Sequence, residues 1–124
     1  SMTESNFFTR AGDFLTGATG DQSGLITVLN EMLGPITRKD QPTRLEARSR
    51  TPDVFDAVSQ WQARDNPAPT TESMIHALFS PEEIRRFSDE TGLSSPAAME
   101  ILKVIVPLCA RDRKKRQLRV PDTV

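Results

Sequence analysis

Ser80-Pro81-Glu82-Glu83-Ile84-Arg85-Arg86-Phe87-Ser88-Asp89-Glu90-Thr91-Gly92-Leu93-Ser94-Ser95-Pro96 is the stretch that decides the fold. Ser80 and Glu83 have the spacing of a reciprocal N-terminal cap, with Pro81 at the first helical position, where its missing N–H costs nothing. Ile84 and Phe87 give this helix its apolar face. Gly92 then suits the left-handed position that follows a helix. Ser95-Pro96 starts another helix by the same logic. Ala98, Ile101, Leu102, Ile105, Leu108 and Cys109 share one of its faces, while Val104 and Val106 widen the apolar surface, so it should be central. Pro107 lacks a donor and should bend this helix or end it early.

The same grammar extends toward the N-terminus. Thr51-Pro52-Asp53 reads as cap, first helical residue and an acid favourable to the helix dipole, and Val54, Phe55, Val58 and Trp61 form a stripe ending near Arg64. Asn66-Pro67-Ala68-Pro69 is a rigid linker, followed by a short helix over about 71–79 capped by Thr70 or Thr71, with Met74, Ile75 and Leu78 inward. Leu25, Ile26, Leu29, Met32 and Leu33 predict a helix over 22–34 that stops at Gly34-Pro35. Phe7, Phe8, Ala11, Phe14 and Leu15 predict another over 4–16, broken by Gly17-Ala18-Thr19-Gly20. Residues 36–50 read as a long loop with at most a short helix at 43–49, and a loop of that length is either mobile or functional. No strand-period alternation of useful length is present.

These elements predict an all-α protein, a compact orthogonal bundle of five to six short helices. Its core is expected around Trp61, Ile75, Leu78, Ile84, Phe87, Ile101, Leu102 and Ile105. The expected organisation is an N-terminal helix or arm over 1–22, a helical domain over 23–112 and a basic polar tail over 113–124, with no packing beyond Asp112. The 124 residues suit one domain. No run of eighteen apolar residues is present, and the first residues lack the basic and apolar regions of a signal peptide. Ser1 before Met2 reads as a residue left by tag removal. A single cysteine, Cys109, makes no internal disulfide, in keeping with a reducing cytoplasmic setting.

The net charge of −1 conceals an asymmetry. Residues 111–119 hold six cations and one acid, for +5, which leaves −6 for the rest. Arg111, Arg113, Lys114, Lys115, Arg116 and Arg119 are therefore the candidate electrostatic binding residues, suited to nucleic acid, an anionic membrane surface or an acidic partner. They lack interleaved aromatics for base stacking. Cations here also stabilise the end of the preceding helix by a few tenths of a kcal/mol.

Other chemistry is sparse. His76 is the only histidine and has no set of ligands or acid–base partners at suitable spacing, so a structural or surface role is expected. Cys109 lies on the apolar face of the last helix and reads as a small buried hydrophobe rather than a nucleophile activated by the basic run. Glu82 and Glu83 read as helix-start acids, and Asp89 and Glu90 as solvated ones. Residues 84–102 have the outline of a helix-turn-helix unit, with Ser88 four residues before Gly92. The start of its second helix, however, offers Ser95, Ala97, Ala98 and Glu100, which are poor readers of bases.

One set of residues is similar to a known family. Trp61, Asn66-Pro67, Thr70-Thr71-Glu72-Ser73-Met74-Ile75-His76-Ala77-Leu78, Ile84, Phe87, Thr91-Gly92-Leu93-Ser94, Ala97-Ala98, Leu102 and Val106-Pro107-Leu108 resemble the YidB-like family of small bacterial helical proteins. Gly24-Leu25-Ile26, Leu29 and Leu33-Gly34 resemble its N-terminal helix. The likeness spans residues 24–110 and is best over 61–108. Phe79 stands where the family tends to have Gly, and 110–115 replace its usual closing motif. The resemblance implies an all-helical bacterial domain and carries over no catalytic residue.

The sequence thus points to a non-enzymatic protein-interaction module, binding another protein or an envelope component, with no cofactor, no metal and no transmembrane segment. The alternative is nucleic-acid binding through the 84–102 unit and the basic tail.

Overall fold

In a computed structural model, residues 21–121 are described. They form six helices and no strand: α1 Asp21–Leu33, α2 Arg44–Ala47, α3 Pro52–Ala63, α4 Glu72–Leu78, α5 Pro81–Thr91 and α6 Ser95–Arg119. The expected all-α bundle is what the chain forms. The helix expected over 4–16 lies outside the described residues.

The caps follow the sequence closely. Thr51, Thr71 and Ser80 each accept a hydrogen bond from the backbone N–H three residues on, and Ser80 and Glu83 complete the reciprocal box. Gly92 ends α5 in the left-handed region, with φ 76°. One cap shifts by a residue: Ser94 rather than Ser95 receives the N–H of Ala97, so Pro96 is the second helical residue. The short helix α2 is real. Thr43 caps it, and Glu46 returns the bond to Thr43 N–H at 2.8 Å.

Helix α6 is the axis of the domain. Helices α1, α3, α4 and α5 all pack on it. Its Ala98, Ile101, Leu102, Ile105, Val106 and Ala110 are buried with Leu29, Val58, Ile75, Leu78 and Phe87 from the other helices. The expected core residues lie in this cluster, Ile84 at its margin. Helices α5 and α6 meet at 101°, the open corner that Gly92 permits.

Two expectations about the end of the chain need correction. Of the two outcomes expected at Pro107, an early end does not occur: α6 runs 25 residues to Arg119. A helical proline leaves the carbonyl four residues earlier without its usual donor. Here that carbonyl is Lys103 O, and it accepts the N–H of Thr70, in the linker before α4, at 2.9 Å. The linker thus supplies the hydrogen bond that Pro107 cannot. Packing also continues past Asp112. Arg113 and Gln117 are 4% and 1% exposed, and the residues expected to begin a polar tail are two further turns of the central helix.

Candidate functional site

The cations of the basic run diverge in role. Arg113 points inward to the C-terminal end of α1. Its Nη1 donates to Asn30 Oδ1 at 2.7 Å, and its Nη2 to Gly34 O at 2.5 Å and Pro35 O at 3.4 Å. Gly34, at φ 91°, closes α1 by donating its N–H to Asn30 O. A guanidinium therefore sits on the last carbonyls of a helix, where unsatisfied acceptors and the negative end of the dipole both favour a cation. No carboxylate pairs with Arg113 among the described residues. Burial pulls its pKa below the ordinary arginine value, and the carbonyl contacts compensate for lost water.

Arg111 does the same for α3. Its Nη1 donates to Gln62 O at 2.8 Å, and its Nη2 bonds Asp65 Oδ1 at 2.8 Å. The Arg111 hydrogen bond holds the Asp65 carboxyl below its ordinary value, aided by the charges of Arg111 and Lys115. Arg48, which the sequence reading left within a loop, serves α4. It donates to Leu78 O at 3.0 Å, grips both carboxylate oxygens of Glu83 at 2.8 Å, and lies 5.0 Å from the centre of the Phe79 ring. Arg48 is the main cause holding the Glu83 carboxyl below its ordinary value. Burial opposes it, and the Ser80 N–H assists. Three arginines thus complete three helix ends.

Lys114 and Arg116 are partnered more loosely. Lys114 lies 3.8 Å from Glu46 Oε2, and Arg116 pairs with Asp112 one turn earlier at 3.0 Å. Burial raises the Glu46 pKa, but the Gln62 amide, the Thr43 N–H and Lys114 outweigh it, and the net direction is down. Lys115 and Arg119 are exposed and make no ion pair among the described residues.

Gln117 holds the segment that the sequence suggested was mobile or functional. Its Nε2 donates to Thr37 Oγ1, Arg38 O and Gln41 O at 3.1, 2.9 and 2.9 Å. Those acceptors bracket a turn closed by Gln41 N–H on Arg38 O, so residues 37–41 wrap the outer end of α6. Leu45 is buried behind them. The 36–50 segment is therefore a structural brace.

His76 is exposed on α4, lining a cleft of about 330 Å³ with Arg50 and Pro81. Cys109 is buried and donates its thiol to Asn30 Oδ1 at 3.3 Å. Burial pushes this thiol up to about 12, against the lowering influence of Arg113, so the group stays protonated and is a poor nucleophile. A second cleft, about 460 Å³, is lined by Asp65, Asn66, Pro67, Leu108, Arg111, Asp112 and Lys115. No group of three or more His, Cys, Asp or Glu side chains able to hold a metal occurs among the described residues. Nor is any single helix among them long and apolar enough to cross a membrane.

The helix-turn-helix outline survives only as a corner. Ala98, Met99, Ile101 and Leu102, near the start of the second helix, are buried, and Glu100 bonds Lys103 at 2.8 Å. Arg86 is paired with Glu90 on α5, and Arg85 is exposed.

What remains outward at the end of α6 is a small mixed patch. Leu118 is 57% exposed. Helical spacing sets Lys114 and Lys115 one turn before it on the same face. Sequence reasoning treated this run as charge alone. Leu118 was the signal available to find the patch.

The chain matches no protein-family model, no curated protein and no solved structure.

Proposed function

We propose that this domain is a non-enzymatic interaction module that binds a protein through the outer end of α6. The observation that carries this reading is Leu118, an exposed large aliphatic side chain with Lys114 and Lys115 one turn before it, on a helix anchored by Arg113 and Gln117. Apolar anchors inside a charged rim are how protein interfaces gain affinity and register. A rigid helix face presents such an anchor at little entropic cost. The polar groups that might otherwise suggest catalysis have structural work: Arg111, Arg113 and Arg48 cap helices, and Cys109 is a buried thiol.

The test is site-specific photo-cross-linking from position 118 of the intact chain inside cells. A discrete protein adduct, lost when Lys115 and Arg119 are reversed to Glu, is the expected result. Absence of any protein adduct overturns the reading.

Nucleic-acid binding is the second reading. The 101° corner between α5 and α6 and the exposed Lys115 and Arg119 favour it. The buried start of α6 weighs against a major-groove role for that helix. Retention of a DNA duplex at low salt, lost on Lys115→Glu/Arg119→Glu substitution, is what this reading requires.

A further inference from the structure

The cleft of about 330 Å³ beside His76 forms where two corners of the chain meet. Ala47, Arg48 and Arg50, between α2 and α3, make one wall. The end of α4 and the start of α5 make the other, with His76, Phe79 and Ser80. Arg48 ties the walls together through Leu78 O and both carboxylate oxygens of Glu83, 30 and 35 residues along the chain. Phe79, 2% exposed, backs its guanidinium. These bonds set the spacing of the walls before any ligand arrives.

The side-chain groups left over in the cleft are donors. Arg50 and His76 are exposed, and neither side chain has a hydrogen-bond or ion-pair partner among the described residues. Ser80 Oγ accepts the Glu83 N–H at 3.1 Å, and its own proton goes to no acceptor among those residues. Glu83 is the one acid in the lining, and Arg48 and the Ser80 N–H already occupy its carboxylate. The lining is therefore net positive, with Arg48 and Arg50 against Glu83, before His76 takes up a proton. Such a cleft repels cations, and an apolar ligand would strip water from Arg50 without replacing it. The second cleft differs. Arg111 and Lys115 are balanced there by Asp65 and Asp112, and Arg111 is committed to Gln62 O and Asp65.

The geometry points to an oxyanion site in the first cleft, where Arg50, His76 and the Ser80 hydroxyl receive the phosphate group of a small molecule. A planar guanidinium offers phosphate two parallel N–H bonds. The imidazole and the hydroxyl add donors from the opposite wall, and the three terminal oxygens of a phosphate can accept from all of them. A carboxylate, with two oxygens in one plane, meets fewer of these donors. The volume lies at the small end of the range for ligand sites, roughly 300–1,000 Å³. This inference is independent of the protein-binding reading, which concerns the far end of α6.

The experiment titrates inorganic phosphate into the full chain, with ionic strength held constant by chloride, and follows Arg50 Nε–H, the His76 imidazole and the Ser80 N–H by NMR. Saturable shifts confined to the cleft, in the millimolar range, are expected. Arg50→Gln should raise the Kd about tenfold, and His76→Gln should raise it less. Both side chains are exposed and unpartnered, and the same spectra report that the fold persists. Arg64→Gln removes an equal charge at the other end of α3 and should leave the Kd unchanged. Acetate should bind more weakly than phosphate. Shifts that grow without saturating, an Arg50→Gln chain that binds as the wild type does, an equal loss in Arg64→Gln, or acetate binding as tightly as phosphate overturns the inference.

Discussion

Arg113 and Asn30 are 83 residues apart in the chain, and their side chains meet at 2.7 Å. Asn30 Oδ1 also accepts the thiol of Cys109. One amide on α1 thus gathers two residues of α6, one helical turn apart, and the guanidinium continues to the carbonyls of Gly34 and Pro35. Replacing Arg113 with Met keeps much of the side-chain volume but leaves these acceptors unpaired. The expected cost is about 2–4 kcal/mol, seen as a lower urea midpoint with an unchanged slope. Arg113→Lys should recover only part of it, because one ammonium does not reproduce the fork.

Gln117→Leu should leave Gln41 O without its donor and Arg38 O with the Gln41 N–H alone, and cost about 1–3 kcal/mol. The loss should appear first as faster amide hydrogen exchange at Gln41, whose N–H closes the turn, while the core of α3 stays protected. Uniform acceleration across the domain would contradict a local brace.

Acid should unfold the domain partly through Glu83. Its folded pKa lies below the ordinary value of 4.5 because Arg48 bonds the carboxylate. The unfolded chain therefore takes up the proton first as pH falls. The contribution to stability is complete above 4.5 and disappears as pH drops through the folded value. Glu83→Gln should be less stable than the wild type at pH 7, with the gap closing in acid. Parallel curves of stability against pH for the two proteins would refute the assignment.

Cys109 should resist alkylation at pH 8 in the folded protein, since its thiol is buried and pushed up to about 12. Reaction with iodoacetamide should track unfolding and accelerate with urea in proportion to the unfolded fraction. Rapid stoichiometric labelling without denaturant would show that the site is open.

Much of this architecture was legible from capping residues. Thr51, Ser80 and Gly92 take the places their chemistry dictates, because a cap is a local event between residues three or four apart. The cap at Ser94 was misplaced by one position, since two adjacent serines offer the same side chain. Helix α2 was underweighted, although Thr43 and Glu46 have the same box spacing as Ser80 and Glu83; it lacked an apolar stripe, and only Leu45 is anchored. The larger gap was the outer half of α6. Arg113 and Gln117 continue the inward stripe at intervals of four, but hydrophobic periodicity counts only apolar side chains. Their partners are backbone carbonyls 76 to 79 residues away and the Asn30 side-chain amide 83 residues away, and no local pattern announces those. The candidate binding residues were read as one charged block, and folding divides them between caps and surface.

Pro107 gives α6 a property that an isolated helix would lack. The free carbonyl of Lys103 is a notch in an otherwise continuous ladder, and the linker ahead of α4 fits into it through Thr70. With the Arg111 bonds to Gln62 O and Asp65 at the start of the connection, that bond fixes the lengthwise position of the α3–α4 connection along the central helix, as a detent fixes a sliding rod. The proline is therefore best understood as an index mark, which tells the first half of the domain where along the second half it belongs.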